Sequence, residues 1–201
     1  MGLTVELLLT AIQPGQNAAD FCTPSHPKTY PGSVAWGETT AGVRDSTSLL
    51  GWSKSNEDNI PRTTSPDGSV TIIVVSGDRR TGLRSEKAPQ AKRPRGEAGI
   101  RLVRRHAQIE LEELLPVAVT SGADETITAL GPTWFLMNFR DEETVRGELS
   151  LAVGVSDSGR LLEWSERLVL PQIDLLNTPD STDRNPEIVP DVDVRVERRA
   201  G

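Results

Sequence analysis

Apolar residues recur with period two from Thr144 to Leu170. Val145, Leu149, Leu151, Val153 and Val155 share one parity, and Arg146, Glu148 and Ser150 the other. This is the pattern of a strand with one buried and one wet face. Ser156-Asp157-Ser158-Gly159 interrupts it, and alternation resumes with Leu162, Trp164, Leu168 and Leu170 against Glu163, Ser165 and Arg167. The spacing predicts a β-hairpin closed by Gly159 in the left-handed conformation.

Other segments read with the same rules. Ser69 to Ser76, β-branched and bounded by Pro66-Asp67-Gly68 and Gly77-Asp78, predicts a buried strand. Thr133 to Phe139 is apolar on both parities and predicts a central strand covered on both faces. Val117 to Val119 and Ile188 to Val196 predict two more strands. Ile100 to Leu115 places Ile100, Val103, Ala107, Leu111 and Leu114 on one helical face. Leu3 to Ile12 fits a strand or a short helix, ended by Gln13-Pro14-Gly15.

Between 13 and 68 the apolar residues are isolated among Pro, Gly, Ser, Thr, Asn and Asp. Such a segment buries too little apolar area to offset its ordering entropy. Its aromatics, however, suit an arm that orders against a partner through Phe21, Tyr30, Trp36 and Trp52. The expected organisation is therefore an N-terminal strand and polar arm over 1–68, then a β-rich domain over 69–201. The fold class is mainly β or α+β, an antiparallel sheet or sandwich with one helix.

Composition adds constraints. Hydrophobic residues make up 36% of the 201, and the deficit lies in the arm. A net charge of −7 argues against a chain that coats nucleic acid as a whole. One cysteine, Cys22, excludes an internal disulfide and a zinc site built on several thiolates. No apolar run reaches the ~20 residues of a membrane span. The opening segment lacks a basic start and contains Glu6, so no secretory signal is expected, and an intracellular or virion-associated location is favoured.

Candidate chemistry is sparse. Cys22 and His26 stand four apart but lack an evident orienting group, and His106 follows two arginines. Asp141-Glu142-Glu143 sits between two strands and reads as a solvated turn. No EF-hand spacing and no glycine-rich phosphate motif occurs. The chain is therefore expected to be non-enzymatic, with no catalytic residue, cofactor or metal site. One charge feature stands out within 87–105: Lys92, Arg93, Arg95, Arg101, Arg104 and Arg105 could meet an anionic surface, and 177–197 is acidic. The basic segment has no aromatic residues for base stacking, so nucleic acid is not the favoured partner.

In general plan the chain resembles proteins that join a compact β domain to a long polar arm, viral coat, decoration and matrix proteins among them. That resemblance implies a structural or assembly protein, in a homo-oligomer or larger assembly, whose arm orders against neighbours. The alternative is a regulatory adaptor that binds nucleic acid or an acidic partner through its basic segment.

Overall fold

The computed structural model describes residues 2–85, 87–104 and 131–175. Among these, the chain runs α1 (Val5–Asp20), α2 (Tyr30–Ser48), β1 (Ser53–Ser55), β2 (Arg62–Thr64), β3 (Thr71–Ser76), β4 (Thr133–Arg140), β5 (Thr144–Val155), β6 (Leu161–Val169) and β7 (Ile173–Asp174). Residues 97–104 are helical. The strands form one sheet in the order β1-β2-β3-β4-β5-β6, with β7 beside the start of β5. All neighbours are antiparallel except β3 and β4, which run parallel from Thr71↔Thr133 to Ser76↔Asn138. The fold is thus a mixed α/β arrangement around a mostly antiparallel sheet, and the described residues contain no second facing sheet.

The N-terminal region takes the helical of the two readings of Leu3 to Ile12, but the helix runs past Gln13-Pro14-Gly15 and a second one follows where an arm was expected. Thr4 caps α1, its hydroxyl accepting from the Leu7 amide at 3.2 Å. Leu8, Ala11, Ile12, Gly15 and Gln16 then form a buried stripe at helical spacing. The helix runs on through the exposed Pro14, with Ala11 and Gly15 of the buried stripe held against α2. A Cβ on Gly15 would stand 2.4 Å from the Ala35 carbonyl oxygen, and one on Gly42 equally close to that of Ala11. The two helices therefore meet backbone to backbone. In α2 the buried stripe is Thr39, Thr40, Val43 and Thr47. Thr40 and Thr47 satisfy their hydroxyls on the carbonyls of Trp36 and Val43, at 2.8 and 2.7 Å. A helix whose hidden face is threonine reads as loop by hydrophobic pattern, and that is why the segment looked like an arm.

The helical pair covers one face of the sheet. Leu8, Ala11, Ile12 and Val43 pack with Trp52, Ile72, Val74, Leu136, Val145, Leu149 and Leu170. On the opposite face Ile73, Val75, Phe135, Met137, Ala152 and Leu161 pack with Ala91 and Val103 from the segment joining β3 to β4. The strand expected over Thr133 to Phe139 is central and covered on both sides, as its two-sided apolar pattern required.

The hairpin is present, and Gly159 has φ +77°. Its faces differ from the expectation. Glu148 and Ser150, read as wet, are fully buried, because the segment after β3 crosses over them. The Gly82 amide and the Ser150 hydroxyl donate to the Glu148 carboxylate at 2.9 and 2.8 Å. In β6, Leu168 lies opposite Leu149, whereas Trp164 lies opposite Ala152, with a bulge between. The extra residue reverses the parity. Trp164 therefore joins Phe135 on one face, ring centroids 6.1 Å apart, and Leu168 is turned to the other and 44% exposed.

The helix expected from Ile100 is present through Arg104, while its continuation to Leu115 lies outside the described residues. So do the strands expected at Val117 to Val119 and Ile188 to Val196, the acidic stretch 177–197, Arg105 and His106.

Candidate functional site

β2 pairs with β3 only at Ile72 and Thr71, so β3 from Ile73 to Ser76 has no strand along its outer edge among the described residues. Beside that edge opens a cleft of about 450 Å³. Three pieces of chain wall it. The start of α2 supplies Lys28, Thr29, Gly32, Ser33 and Trp36. The turn before β2 supplies Asn59, Ile60 and Pro61, and the basic segment supplies Lys92, Arg93 and Arg95.

Each wall is pinned. Trp36 Nε1 donates to the Val74 carbonyl at 3.0 Å, which fixes the indole against the strand edge. The Lys92 amide donates to the Ser76 carbonyl at 2.8 Å. The Arg95 amide donates to the Gly159 carbonyl at 2.7 Å, and a Cβ on Gly159 would stand 1.9 Å from the Arg95 carbonyl oxygen. The tip of the β5–β6 hairpin is thus the seat of Arg95. Trp164 Nε1 donates to the Pro89 carbonyl at 2.9 Å and holds the approach to this segment. On the third wall Asp58 and Asn59 take left-handed backbone, φ 54° and 59°, a conformation that Asx residues tolerate better than most. Arg62, buried, pairs with Glu57 at 2.6 Å beneath that turn.

The electrostatics are one-sided. Among the described residues, Lys28, Lys92, Arg93 and Arg95 have no carboxylate partner, and the first turn of α2 carries no acidic residue. The Arg95 Nε is buried without a hydrogen-bond partner, and one terminal nitrogen donates to the Arg93 carbonyl at 2.9 Å. Burial, and then the charge of Arg93, hold this guanidinium below its ordinary pKa. Arg80, Arg140, Arg146 and Arg167, by contrast, each face a carboxylate.

The six basic residues singled out in the sequence therefore divide. Lys92, Arg93 and Arg95 converge on the cleft. Arg101 pairs with Asp58 at 3.6 Å and Arg104 pairs with Asp157, so both are partly neutralised, and Arg105 lies outside the described residues. Of the four aromatic residues assigned to the arm, Trp36 lines the cleft and Trp52 is buried in the core beneath α2. Tyr30 stacks on His26 with ring centroids 4.9 Å apart, and Phe21 is 79% exposed. Lys28 and Trp36 were not grouped with the basic segment in the sequence, since more than fifty residues separate them from it and only the fold joins them.

The remaining candidates are simpler. The Cys22 thiol donates to the Ala18 carbonyl, His26 Nδ1 accepts from the Thr23 amide, and no hydrogen bond joins the two side chains. Asp141 accepts from the Thr144 amide and hydroxyl at 2.8 and 3.0 Å, and these bonds keep its pKa low. Among the described residues no group of three His, Cys, Asp or Glu side chains could hold a metal ion, and no helix is long and apolar enough to cross a membrane. Comparison with protein-family models, with curated proteins and with solved structures found no match.

Proposed function

We propose that this chain is a non-enzymatic binding protein, an adaptor that holds an anionic partner in the basic cleft beside β3. The observation that carries the reading is Arg95. A partly desolvated guanidinium in a cleft with a second arginine and two lysines, and with no carboxylate among the described lining residues, gains most from an anion brought by something else. The test compares two neutralised proteins on immobilised polyglutamate and heparin under a salt gradient. Replacing Lys92, Arg93 and Arg95 by Gln should bring elution to clearly lower salt, while replacing Arg101 and Arg104 should do so less. Equal shifts from the two sets would remove the cleft from the function.

A second reading keeps the chain as a component of an oligomer or a larger, coat-like assembly. Phe21 favours it, since a large apolar side chain stands free in the connection between α1 and α2. Light scattering on the parent and on Phe21→Ser checks this: association that is the same in both removes Phe21 as an anchor.

A further inference from the structure

We propose that the cleft is a nucleotide site, taking a planar base against Trp36 and phosphate on Arg95 and Lys92; this rests on the anionic-partner reading above. The nucleotide could be free or be the phosphorylated end of a single strand, since both carry the same ring and the same phosphate.

Three observations select this ligand. The first is size and mixture. A cleft of about 450 Å³ lies in the range of small-molecule sites. It sets Trp36, Ile60, Pro61 and Ile73 beside its four cations, so it offers an apolar platform as well as charge. The second is the indole itself. Trp36 is 39% exposed and tethered through Nε1 to Val74, so the ring is held in place before any ligand arrives. A pre-positioned aromatic ring beside basic side chains is the arrangement that stacks a base while a phosphate is neutralised. The third discriminates against an acidic peptide. An extended peptide would add to the open edge of β3 through main-chain hydrogen bonds. The Val74 and Ser76 carbonyls on that edge already accept from Trp36 Nε1 and the Lys92 amide, at 3.0 and 2.8 Å. Two acceptors of that edge are thus already taken, which weakens it as a template for a peptide strand, and the space over the cations and the indole stays open.

Gly32 supplies a way to close that space. It lines the cleft, and a Cβ built on it would meet no atom within 4 Å. Gly32→Leu therefore adds a bulky side chain at the cleft wall with free space at its Cβ, and it replaces a poor helix former inside α2 by a good one.

The full chain is titrated by calorimetry at low salt with ADP, adenosine, inorganic phosphate, octathymidylate with and without a 5′-phosphate, and octaglutamate. ADP or the 5′-phosphorylated strand should bind at one site, about tenfold or more tighter than adenosine or inorganic phosphate alone. Tighter binding of ADP identifies a free nucleotide, and tighter binding of the phosphorylated strand identifies a strand end. Gly32→Leu, Arg95→Gln and Lys92→Gln should each weaken the preferred ligand by about tenfold, with the circular dichroism of a folded chain in all three, a thermal midpoint no lower than the parent's for Gly32→Leu, and an unchanged one for the exposed Lys92. Inorganic phosphate binding as well as ADP, octaglutamate binding better, affinity untouched by Gly32→Leu, or no binding at all would each overturn the nucleotide assignment. In any of these cases, polyglutamate retention that still depends on Lys92, Arg93 and Arg95 leaves the broader anionic-partner reading standing. Its loss overturns that reading separately.

Discussion

Arg167 closes on Glu148 at 2.6 Å, a carboxylate with no exposure to water meeting a guanidinium that keeps partial access to it. The pair ties two strands to a third piece of chain. Beside Arg167 and the Ser150 hydroxyl, the carboxylate accepts from the Gly82 amide, and the same guanidinium reaches the Leu83 carbonyl at 3.1 Å. Glu148→Gln keeps the shape and removes the charge. Breaking a buried pair costs about 3–5 kcal/mol, and the water within reach of Arg167 argues for the lower end. Urea midpoints measure the loss, and proteolysis between Gly82 and Ser85 should quicken in the variant. A change below about 1 kcal/mol, with unaltered proteolysis, would mean that the ion pair does not hold the segment.

Gly159 carries two constraints. A left-handed φ alone would make Gly159→Asn mild and Gly159→Val severe. The Arg95 carbonyl oxygen would stand 1.9 Å from a Cβ at Gly159, a clash that both variants share. Gly159→Asn should therefore lose about 1–3 kcal/mol and Gly159→Val more, and both should weaken anion retention as strongly as Arg95→Gln. An Asn variant with parental stability would show that the segment around Arg95 can move aside.

Gly15→Ala tests the helical pair. Helix propensity alone favours alanine by roughly 1 kcal/mol. The clash with the Ala35 carbonyl oxygen and the Thr39 hydroxyl opposes it, and overpacking of this kind costs about 1–3 kcal/mol. A net loss in thermal midpoint is expected. Gly37→Ala, where a Cβ meets nothing within 4 Å, should instead gain stability.

Removing residues 2–50 should abolish cooperative unfolding, because Leu8, Ala11, Ile12 and Val43 form one half of a shared core. A truncated protein with a sharp urea transition and native near-ultraviolet circular dichroism would show that the sheet folds alone.

Asp67 gives a pH-dependent term. The Ser65 hydroxyl, and then the Ser69 amide and hydroxyl, donate to its carboxylate and lower its pKa to about 2. A carboxyl whose pKa is lower in the folded chain contributes stability above the unfolded value near 3.8 and loses it as pH falls towards 2. Asp67→Asn should therefore be less stable than the parent at pH 6, and the gap should shrink between pH 4 and 2. A gap of constant size would show that the three hydrogen bonds, and not the charge, set the difference.

The sheet was legible where period two or a two-sided apolar run was long: β3, β4, the hairpin and the turn at Gly159 all follow from pattern. Trp164 and Leu168 were assigned to one face because alternation was read across the β6 bulge, and a single extra residue is invisible to a period-two count. The helical hairpin was missed for two reasons. Its buried residues in α2 are threonines apart from Val43, and its helix–helix seam is made of glycine and alanine, residues that score as turn or as nothing. The basic half of the cleft was visible as a run of charge at 92–95. Lys28 and Trp36 were not, since their place beside that run is set by the sheet order and not by any local motif.

The parallel join of β3 to β4 also bears on how the molecule is made. Thr71 pairs with Thr133, so β3 has no partner on that side until most of the chain has left the ribosome. In the meantime the two helices can already shield one of its faces, since they are made first. The other face, with Ile73 and Val75, can meet Ala91 and Val103 next, but completes its cluster only with Phe135 and Met137. During synthesis this short β-branched strand is the place where nascent chains would stick to one another, and slowed translation or a chaperone acting between residues 76 and 133 would matter more for yield than any change to the finished surface.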